Sequence, residues 1–262
     1  MNGFIIRVLP TDNTLYGNAN NPIEISMKII TSSSEGESQS TVKFGIKPEE
    51  DIPISTIERI GQERITGILE GGVEYKDIMP KIHEALERMV SGGFWSIGFN
   101  HISYDFKILN DNFRKMGLSE INPAPEKTID LMRYAEIALD YKKVGSFTLP
   151  ATYSSIMGKS VERERVMASD TAYEVDLIFE MLMKCASDLN STTDIFSTIH
   201  DFISKERDVE ELTFGKYKGL KISEAIRKDH GYVSWIIRNQ DFKVKNPNLV
   251  RSCKKALNEM PE

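Results

Sequence analysis

Three short, β-branched, apolar segments open this chain and constrain its fold more than any other feature. Apolar and polar side chains alternate in the second segment, a period of two that is typical of a strand with one buried face, and Pro10 closes the first. Two stretches rich in turn-forming residues, 11–22 and 32–40, separate the segments and are interpreted as loops. Short connections between successive strands predict an antiparallel meander. The three segments are residues 4–9, 23–29 and 41–46.

Further along the chain, apolar residues recur every three to four positions, which is typical of amphipathic helices. This spacing predicts helices over 75–90, 106–116, 128–139 and 171–185, with a strand over 94–99. Three strands followed by helices and one more strand predict an α/β fold in which helices cover a mixed β-sheet.

Composition divides the chain into a main domain, 1–186, a polar linker with one short helix, 187–211, and a small domain, 212–262. The small domain has its own apolar residues, although about 50 residues is near the lower limit for an independent core. It holds 11 Lys/Arg and 5 Asp/Glu, a net charge of +6, whereas residues 1–211 carry a net charge of −12. This asymmetry predicts that the tail makes the main contacts with any polyanion.

Several other classes of protein are disfavoured by the sequence. No apolar run approaches 18 residues, and no basic leader precedes an apolar stretch, so we expect neither a membrane span nor a secretory signal. Cys185 and Cys253 are far apart and lack His or Cys neighbours at ligand spacing, which argues against a disulfide scaffold and a zinc site. We therefore expect a cytoplasmic protein.

Asp105 is the first candidate for chemistry. Gly98 and Asn100 follow a strand, and Tyr104 and Asp105 open the next helix. A carboxylate at such a junction lies at the edge of a sheet, where open α/β folds bind ligands, and it can hold a divalent cation. The alternative is that Asp105 only caps the helix.

Asp176 is the second candidate. It follows Val175 and precedes Ile178, so it borders the apolar stripe of the predicted helix 171–185. Burial of a carboxylate there is costly unless it is paired, liganded or hydrogen-bonded. The alternative is an edge residue that faces water.

Taken together, residues 4–184 resemble the DEDD-type 3′→5′ exonucleases. Residues 98–105 are similar to that family's second motif, in a spacing closest to exonuclease I and the editing domains of family-B polymerases. Residues 65–68 resemble its Thr-Gly-Ile stretch, residues 146–149 with Gly158 its Ser-x-x-Leu segment, and residues 171–176 its third motif. The resemblance implies a ribonuclease H-like three-layer fold with a mixed β-sheet.

The tail resembles the small C-terminal domain of exonuclease X-like enzymes, which implies a small α/β module. The resemblance rests on residues 214–219, 231–236 and 241–242. Lys216 and Lys218 flank Tyr217 on a glycine-bounded turn, which offers charges for phosphates and a ring for stacking. With Lys221, these residues are candidates for nucleic-acid binding. The alternative is that Tyr217, Tyr232 and Trp235 only form the core of the module.

The resemblance is broken at the metal site. Family members hold two divalent cations with four carboxylates, of which the first two form an Asp-x-Glu on strand one. Here Arg7 stands where that motif begins, and the position of the family's histidine falls on Thr171. The position of the family's tyrosine variant falls on Ala172. Asp105 and Asp176 remain as residual catalytic residues, and as metal ligands if a cation binds.

Arg7 suggests what replaces the metals. Arginine forms strong bidentate pairs with carboxylates and phosphates, so we hypothesise that Arg7 pairs with Asp105 and Asp176. Arg7 and Asn100 are also candidates for contacts with nucleic acid.

Three functions follow from these observations. The leading interpretation is a catalytically impaired exonuclease-family protein that binds single-stranded nucleic acid or a protein partner and needs no cofactor. The second is an active 3′→5′ exonuclease on single-stranded DNA or RNA, with Mg²⁺ or Mn²⁺, which needs Asp12, Glu24 or Asp170 to complete the site. The third is a structural or assembly protein that reuses the fold.

Overall fold

The chain folds into two compact units, Met1–Ile203 and Ser204–Glu262. The computed structural model describes residues 2–12, 20–33, 36–191, 194–205, 207–212, 214–239, 242 and 246–259. The segment 187–211, predicted as a linker, is divided between the units. Its helix buries Phe196 and Ile199 in the core of the first unit, so the observed boundary lies after that core rather than before it.

A mixed sheet lies at the centre of the first unit, and the described residues form six of its strands. These are β1 (Asn2–Pro10), β2 (Pro22–Ser33), β3 (Gly36–Lys47), β4 (Val73–Glu74), β5 (Trp95–Gly98) and β6 (Thr128–Asp130). Their order is β4-β3-β2-β1-β5-β6. Strands β1, β2 and β3 form the antiparallel meander predicted from their sequence, and the other pairs are parallel.

Two predicted elements differ from the structure. Residues 32–40, predicted as a loop, continue β2 to Ser33 and begin β3 at Gly36, and this part of β3 exposes polar side chains that give no hydrophobic signal. The helix predicted over 128–139 begins only at Leu131, because Thr128–Asp130 pairs with β5 as a parallel strand. Of the stretch 11–22, residues 13–19 lie outside the described residues.

Helices cover both faces of the sheet. Those of the first unit are α1 (Ile54–Ile60), α2 (Gln62–Gly71), α3 (Tyr75–Ser91), α4 (Asp105–Lys115), α5 (Leu131–Ala138), α6 (Tyr141–Val144), α7 (Leu149–Met157), α8 (Arg163–Met167), α9 (Thr171–Asp188) and α10 (Ile195–Ser204). A 3₁₀ turn, Pro125–Lys127, precedes β6. Within the described part of the chain, no helix is both long and apolar enough to cross a membrane.

Strand β1 separates two apolar layers because its side chains alternate between the faces of the sheet. Phe4 and Ile6 join the core formed with α3 and α4. Ile5, on the opposite face, joins the core formed with α9 and α10. The predicted α/β class with a mixed, three-layer arrangement is therefore confirmed.

The second unit has a separate, small core. Its helices are α11 (Ile222–Lys228), α12 (His230–Arg238) and α13 (Pro247–Glu259). An antiparallel bridge joins Glu211 to Lys221 ahead of α11. The buried side chains come from the bridge segment and from each of the helices described in this unit, and they include Leu212, Ile226, Ile236 and Cys253. The apolar residues of the tail therefore bury one another.

Candidate functional site

Arg7 lies at the centre of the candidate site. Its Nη1 donates to Oδ2 of Asp105 over 2.8 Å, and its Nη2 lies 2.6 Å from Oε2 of Glu174. The Nε group donates to the same Glu174 oxygen over 2.8 Å. Burial by itself lowers the pKa of Arg7, but the two carboxylates outweigh burial and raise it. The guanidinium is therefore a permanent positive charge held between two carboxylates.

Asp105 uses both of its oxygens to join α4 to β1. Its Oδ2 accepts from Arg7, and its Oδ1 accepts from the backbone N–H of Val8 over 2.7 Å. The side chain is fully buried, and burial raises the pKa of Asp105 to about 6, although Arg7 and the Val8 N–H oppose that shift. Asp105 is the first residue of α4, and its described contacts are made with the strand rather than with the first turn of its own helix.

The predicted pairing of Arg7 with Asp176 is wrong, because Glu174 takes that place. The side chain of Asp176 is 54% exposed, and its Oδ1 lies 3.1 Å from Nζ of Lys28. Residues two apart on an α-helix point about 200° away from each other, so Glu174 and Asp176 cannot both face Arg7. The helix is oriented by Thr171, which lies three residues before Glu174 and on the same side.

A second cluster surrounds Glu24, which is buried on β2. Thr171 Oγ1 donates to Oε1 of Glu24 over 2.6 Å, and Arg64 Nη2 donates to the same oxygen over 2.5 Å. Lys43 Nζ lies 3.1 Å from the other oxygen, Oε2. The Ser26 hydroxyl lies 2.7 Å from Thr171 Oγ1. Because Thr171 donates its proton to Glu24, the Ser26 hydroxyl is the donor to Thr171 Oγ1. Each carboxylate oxygen of Glu24 therefore contacts one cation, Arg64 or Lys43.

Asp170 and Asp12 do not join the carboxylates around Arg7. Asp170 is the N-cap of α9, and Arg165 Nη2 lies 2.6 Å from its Oδ2. Burial opposes ionisation of Asp170, but Arg165 and Lys43 outweigh burial and lower its pKa. Asp12 follows β1, where its backbone N–H donates to Oδ1 of Asn20.

An open cavity of about 310 Å³ lies beside the Glu24 cluster. Its lining residues are Lys43, Arg64, Glu164, Arg165, Ala168 and Asp170. Two further contacts hold the loop before α9: Arg64 Nη1 donates to the Ala168 carbonyl over 2.6 Å, and Arg59 Nη1 donates to Ser169 Oγ over 2.5 Å. Three of the six lining side chains are cationic and two are acidic, and the three cations also pair with Glu24 or Asp170.

Asn100 shapes the turn between β5 and α4. Its φ is +55°, in the left-handed region that asparagine tolerates better than most residues. Its N–H donates to Asp130 Oδ1 over 2.8 Å, and its carbonyl accepts from the Tyr104 N–H. Next to it, His101 is fully buried with Nε2 3.1 Å from Ser96 Oγ, and burial lowers the pKa of His101 to about 3.

The other predicted binding residues lie in the second unit. Lys216 Nζ lies 4.9 Å from the centre of the Tyr217 ring, and the Tyr217 hydroxyl donates to Oδ2 of Asp229 over 3.1 Å. Lys218 and Lys221 are exposed, and Lys221 immediately precedes α11. All four predicted side chains are therefore on or near the surface of that unit.

The carboxylates of the first unit do not fit a pair of divalent cations. A two-metal site needs several acidic ligands around ions about 3.5–4 Å apart. Asp105 and Glu174 hold a guanidinium instead, Glu24 is held by two cations, and Asp176 faces Lys28. Among the described residues, no group of three or more His, Cys, Asp or Glu side chains is arranged to hold a metal ion.

Comparison with solved structures places this geometry in a known fold. The chain superposes on E. coli exonuclease I in complex with a dA16 oligonucleotide with a TM-score of 0.56 and 13% identity, over 76% of this chain and 43% of that one. For a moderately thermophilic exonuclease I from Methylocaldum szegediense, the TM-score is 0.55 at 12% identity, and the match covers 79% of this chain and 43% of that one. A zinc-bound E. coli ExoI–ssDNA complex superposes with a TM-score of 0.54 and 13% identity, over 72% of this chain and 41% of that one. The matched part of this chain has the exonuclease I fold.

The sequence comparisons concern the tail. Residues 212–241 match the family model described as Exodeoxyribonuclease X-like C-terminal. No curated protein matches the chain. Both resemblances inferred from the sequence are thus confirmed, one at the level of the fold and one in the tail. The chain spans less than half the length of the exonuclease I chains.

Proposed function

We propose that this protein binds single-stranded nucleic acid on an exonuclease-type fold and does not hydrolyse it by the two-metal route. The observation that carries the proposal is the position of Arg7, whose guanidinium lies within 2.8 Å of Asp105 and 2.6 Å of Glu174. The carboxylates that remain at this edge of the sheet are neutralised by a side chain of the protein itself.

The charges around the site support an anionic ligand. In the two-metal mechanism, cations bring positive charge to the phosphate. Here Lys43, Arg64 and Arg165 line an open cavity, and Arg7 lies within β1, three residues before its last residue. Arginine and lysine contacts with phosphates carry no information on base sequence, so we expect binding that depends on salt more than on sequence.

The comparisons support the class of ligand. Two of the exonuclease I structures that match this chain hold single-stranded DNA or a dA16 oligonucleotide. The tail of the present chain carries a net charge of +6 over residues 212–262, which favours a polyanion at that end.

The test is a binding and nuclease experiment on the full chain with fluorescein-labelled 20-nucleotide DNA and RNA strands. We expect binding by fluorescence anisotropy in EDTA, and labelled strands of unchanged length after incubation with Mg²⁺ or Mn²⁺. Asp105→Ala, which removes a carboxylate of the site, and Asp111→Ala, which removes a half-buried carboxylate of α4 outside the site, serve as a matched pair.

Two outcomes contradict the proposal. Metal-dependent loss of 3′ nucleotides that disappears in Asp105→Ala and persists in Asp111→Ala shows an active exonuclease. Failure of the chain to bind any single strand between low and moderate salt removes nucleic acid as the ligand and favours a structural or assembly role.

A further inference from the structure

Trp235 is exposed on the surface of the second unit. Helix α12 buries Val233 and Ile236 in the small core, whereas 49% of the Trp235 surface is accessible to solvent. The interpretation that the aromatic residues of the tail serve only as core therefore does not extend to Trp235. The exposed indole offers a large, flat apolar face on which a ligand can stack.

Neighbouring rings hold the indole in place. Phe242 contacts it edge-on, with ring centres 5.3 Å apart and an interplanar angle of 73°, and Tyr232 lies 6.0 Å away at 30°. Phe214 stacks on Phe242 at 4.6 Å, and Tyr217 packs against Tyr232 at 5.2 Å. The five rings form a continuous row, so a ligand that stacks on Trp235 orders little that is not already ordered.

Two cations lie near this row, one at the Tyr217 end and one beside Trp235. Lys216 Nζ lies 4.9 Å from the centre of the Tyr217 ring and also contacts Asp229, which offsets part of its charge. Arg238 follows Trp235 by three residues on α12, so the two side chains are neighbours on the helix surface. Arg238 is exposed, and it makes no ion pair with the described residues.

We propose that Trp235 stacks on a base of single-stranded nucleic acid and that Arg238 contacts an adjacent phosphate. The inference rests on the proposed function and assigns it a specific stacking residue. An exposed ring beside a cation fits a strand of nucleic acid, in which a π-face and a phosphate recur at every nucleotide. The net charge of +6 on residues 212–262 favours this polyanion over a protein surface.

The test uses the full chain, 12-nucleotide oligo-dT and an abasic strand of the same length. Trp95 is 6% exposed and Trp235 is 49% exposed, so quenching of tryptophan fluorescence by oligo-dT reports mainly on Trp235. We expect quenching by oligo-dT but not by the abasic strand, and no quenching in Trp235→Phe. Trp235→Ala should weaken binding about 5- to 150-fold, the range of one base–aromatic stack, and Trp235→Phe should weaken it less.

Controls separate stacking from phosphate contact and from loss of fold. Arg238→Ala should reduce the salt dependence of binding, with a slope smaller by about 0.7 on a log–log plot, and should leave the quenching intact. Ile54→Ala removes an exposed apolar side chain of the first unit and should bind like the unmodified chain. Circular dichroism checks that each variant is folded.

The outcomes distinguish this inference from the proposed function. If the unmodified chain binds oligo-dT and Trp235→Ala binds within twofold of it, stacking by Trp235 is refuted while nucleic-acid binding stands. Equal affinity for the abasic strand and oligo-dT also refutes stacking. If the unmodified chain binds no strand, the proposed function fails, and this inference fails with it.

Discussion

Glu174 Oε2 accepts from Nε of Arg7 over 2.8 Å and lies 2.6 Å from Nη2, so one carboxylate oxygen contacts the whole Nε–Nη2 edge of the guanidinium. The third contact of Arg7 is with Asp105. A single side chain of the central strand β1 therefore connects α9 to α4, where the resemblance to exonucleases implies metal ions. The stability of this edge should depend on the arginine.

Arg7→Ala should destabilise the protein by about 3–5 kcal/mol, because Asp105 is then left buried without its charged partner. The free energy of unfolding in urea measures this effect. Arg7→Ala combined with Asp105→Asn should recover part of the loss, since the buried charge is removed with its partner. A double variant no more stable than Arg7→Ala contradicts this account.

Glu174→Gln and Asp176→Asn form a matched pair on α9. Glu174 is 13% exposed and contacts Arg7, so its substitution should cost about 1–3 kcal/mol, as for a charged group in a hydrogen-bonded pair. Asp176 is 54% exposed and pairs with Lys28, so its substitution should cost about 1 kcal/mol or less. Urea unfolding measures the free energy of unfolding of both variants. A larger loss in Asp176→Asn than in Glu174→Gln would contradict the assignment of Glu174 as the partner of Arg7.

The sequence predicted the elements of this site better than their mutual orientation. The short apolar, partly β-branched run 4–9 placed Arg7 on the strand, and the junction between a strand and a helix indicated Asp105. The choice of Asp176 over Glu174 followed the spacing of a family motif. The rotation of α9 is determined instead by contacts with Glu24, a residue 147 positions away from Thr171. Periodicity within one helix contains no information on such a contact.

The sequence prediction missed the short strand β6 for a related reason. Strand β6 has three residues, and its sequence continues without a break into α5. Its strand conformation comes from pairing with β5, where Ile97 lies opposite Ile129. Local propensity cannot reveal a strand whose only stabilising partner is distant in sequence.

Gly98→Ala should destabilise the turn that carries Asn100 and Asp105. A Cβ at position 98 would lie 2.5 Å from Cβ and Cγ of His101, closer than carbon atoms can approach. The expected cost is about 1–3 kcal/mol, as for overpacking in a core. Gly67→Ala is the control: apart from its chain neighbours and its own helix backbone, no atom lies within 4 Å of the added Cβ, and alanine should stabilise α2 by about 0.5–1 kcal/mol. Thermal unfolding distinguishes the two, and equal effects contradict the close contact at position 98.

His101 should make the protein less stable as the pH falls. Burial, aided by the charge of Arg7, lowers its pKa to about 3 in the folded chain, whereas an unfolded histidine has a pKa of about 6.5. Between these values the unfolded chain binds a proton that the folded chain does not, so acidification favours unfolding. From pH 7 to pH 5 the contribution is about 2 kcal/mol, at 1.36 kcal/mol per pKa unit.

The effect of His101 on the pH dependence of stability must be separated from that of Asp105. The pKa of Asp105 is raised to about 6, and its contribution to stability has the opposite sign. Below pH 6 the folded chain binds a proton at Asp105 before the unfolded chain does, so acidification favours folding there. Comparing the unmodified chain with His101→Gln isolates the histidine, because both retain Asp105. Urea unfolding at pH 7 and pH 5 should show that the free energy of unfolding of His101→Gln falls by about 2 kcal/mol less than that of the unmodified chain. His230→Gln, which alters an exposed histidine, should behave like the unmodified chain. Identical pH dependence in all three proteins contradicts a buried, neutral His101.

Lys43 and Arg165 should contribute to binding of single-stranded nucleic acid through their charges alone. Both line the open cavity of the first unit, where each lies within 3.3 Å of Asp170. If each contacts one phosphate, replacing both by alanine should reduce the slope of log affinity against log salt by about 1.4. Fluorescence anisotropy between 50 and 200 mM salt, about a fourfold range, measures this slope. Replacing Lys107 and Arg114, two exposed cations of α4 that pair with Asp111, removes the same charge elsewhere and controls for a general electrostatic effect. An equal loss of slope in both double variants would show that the cavity makes no phosphate contact of its own.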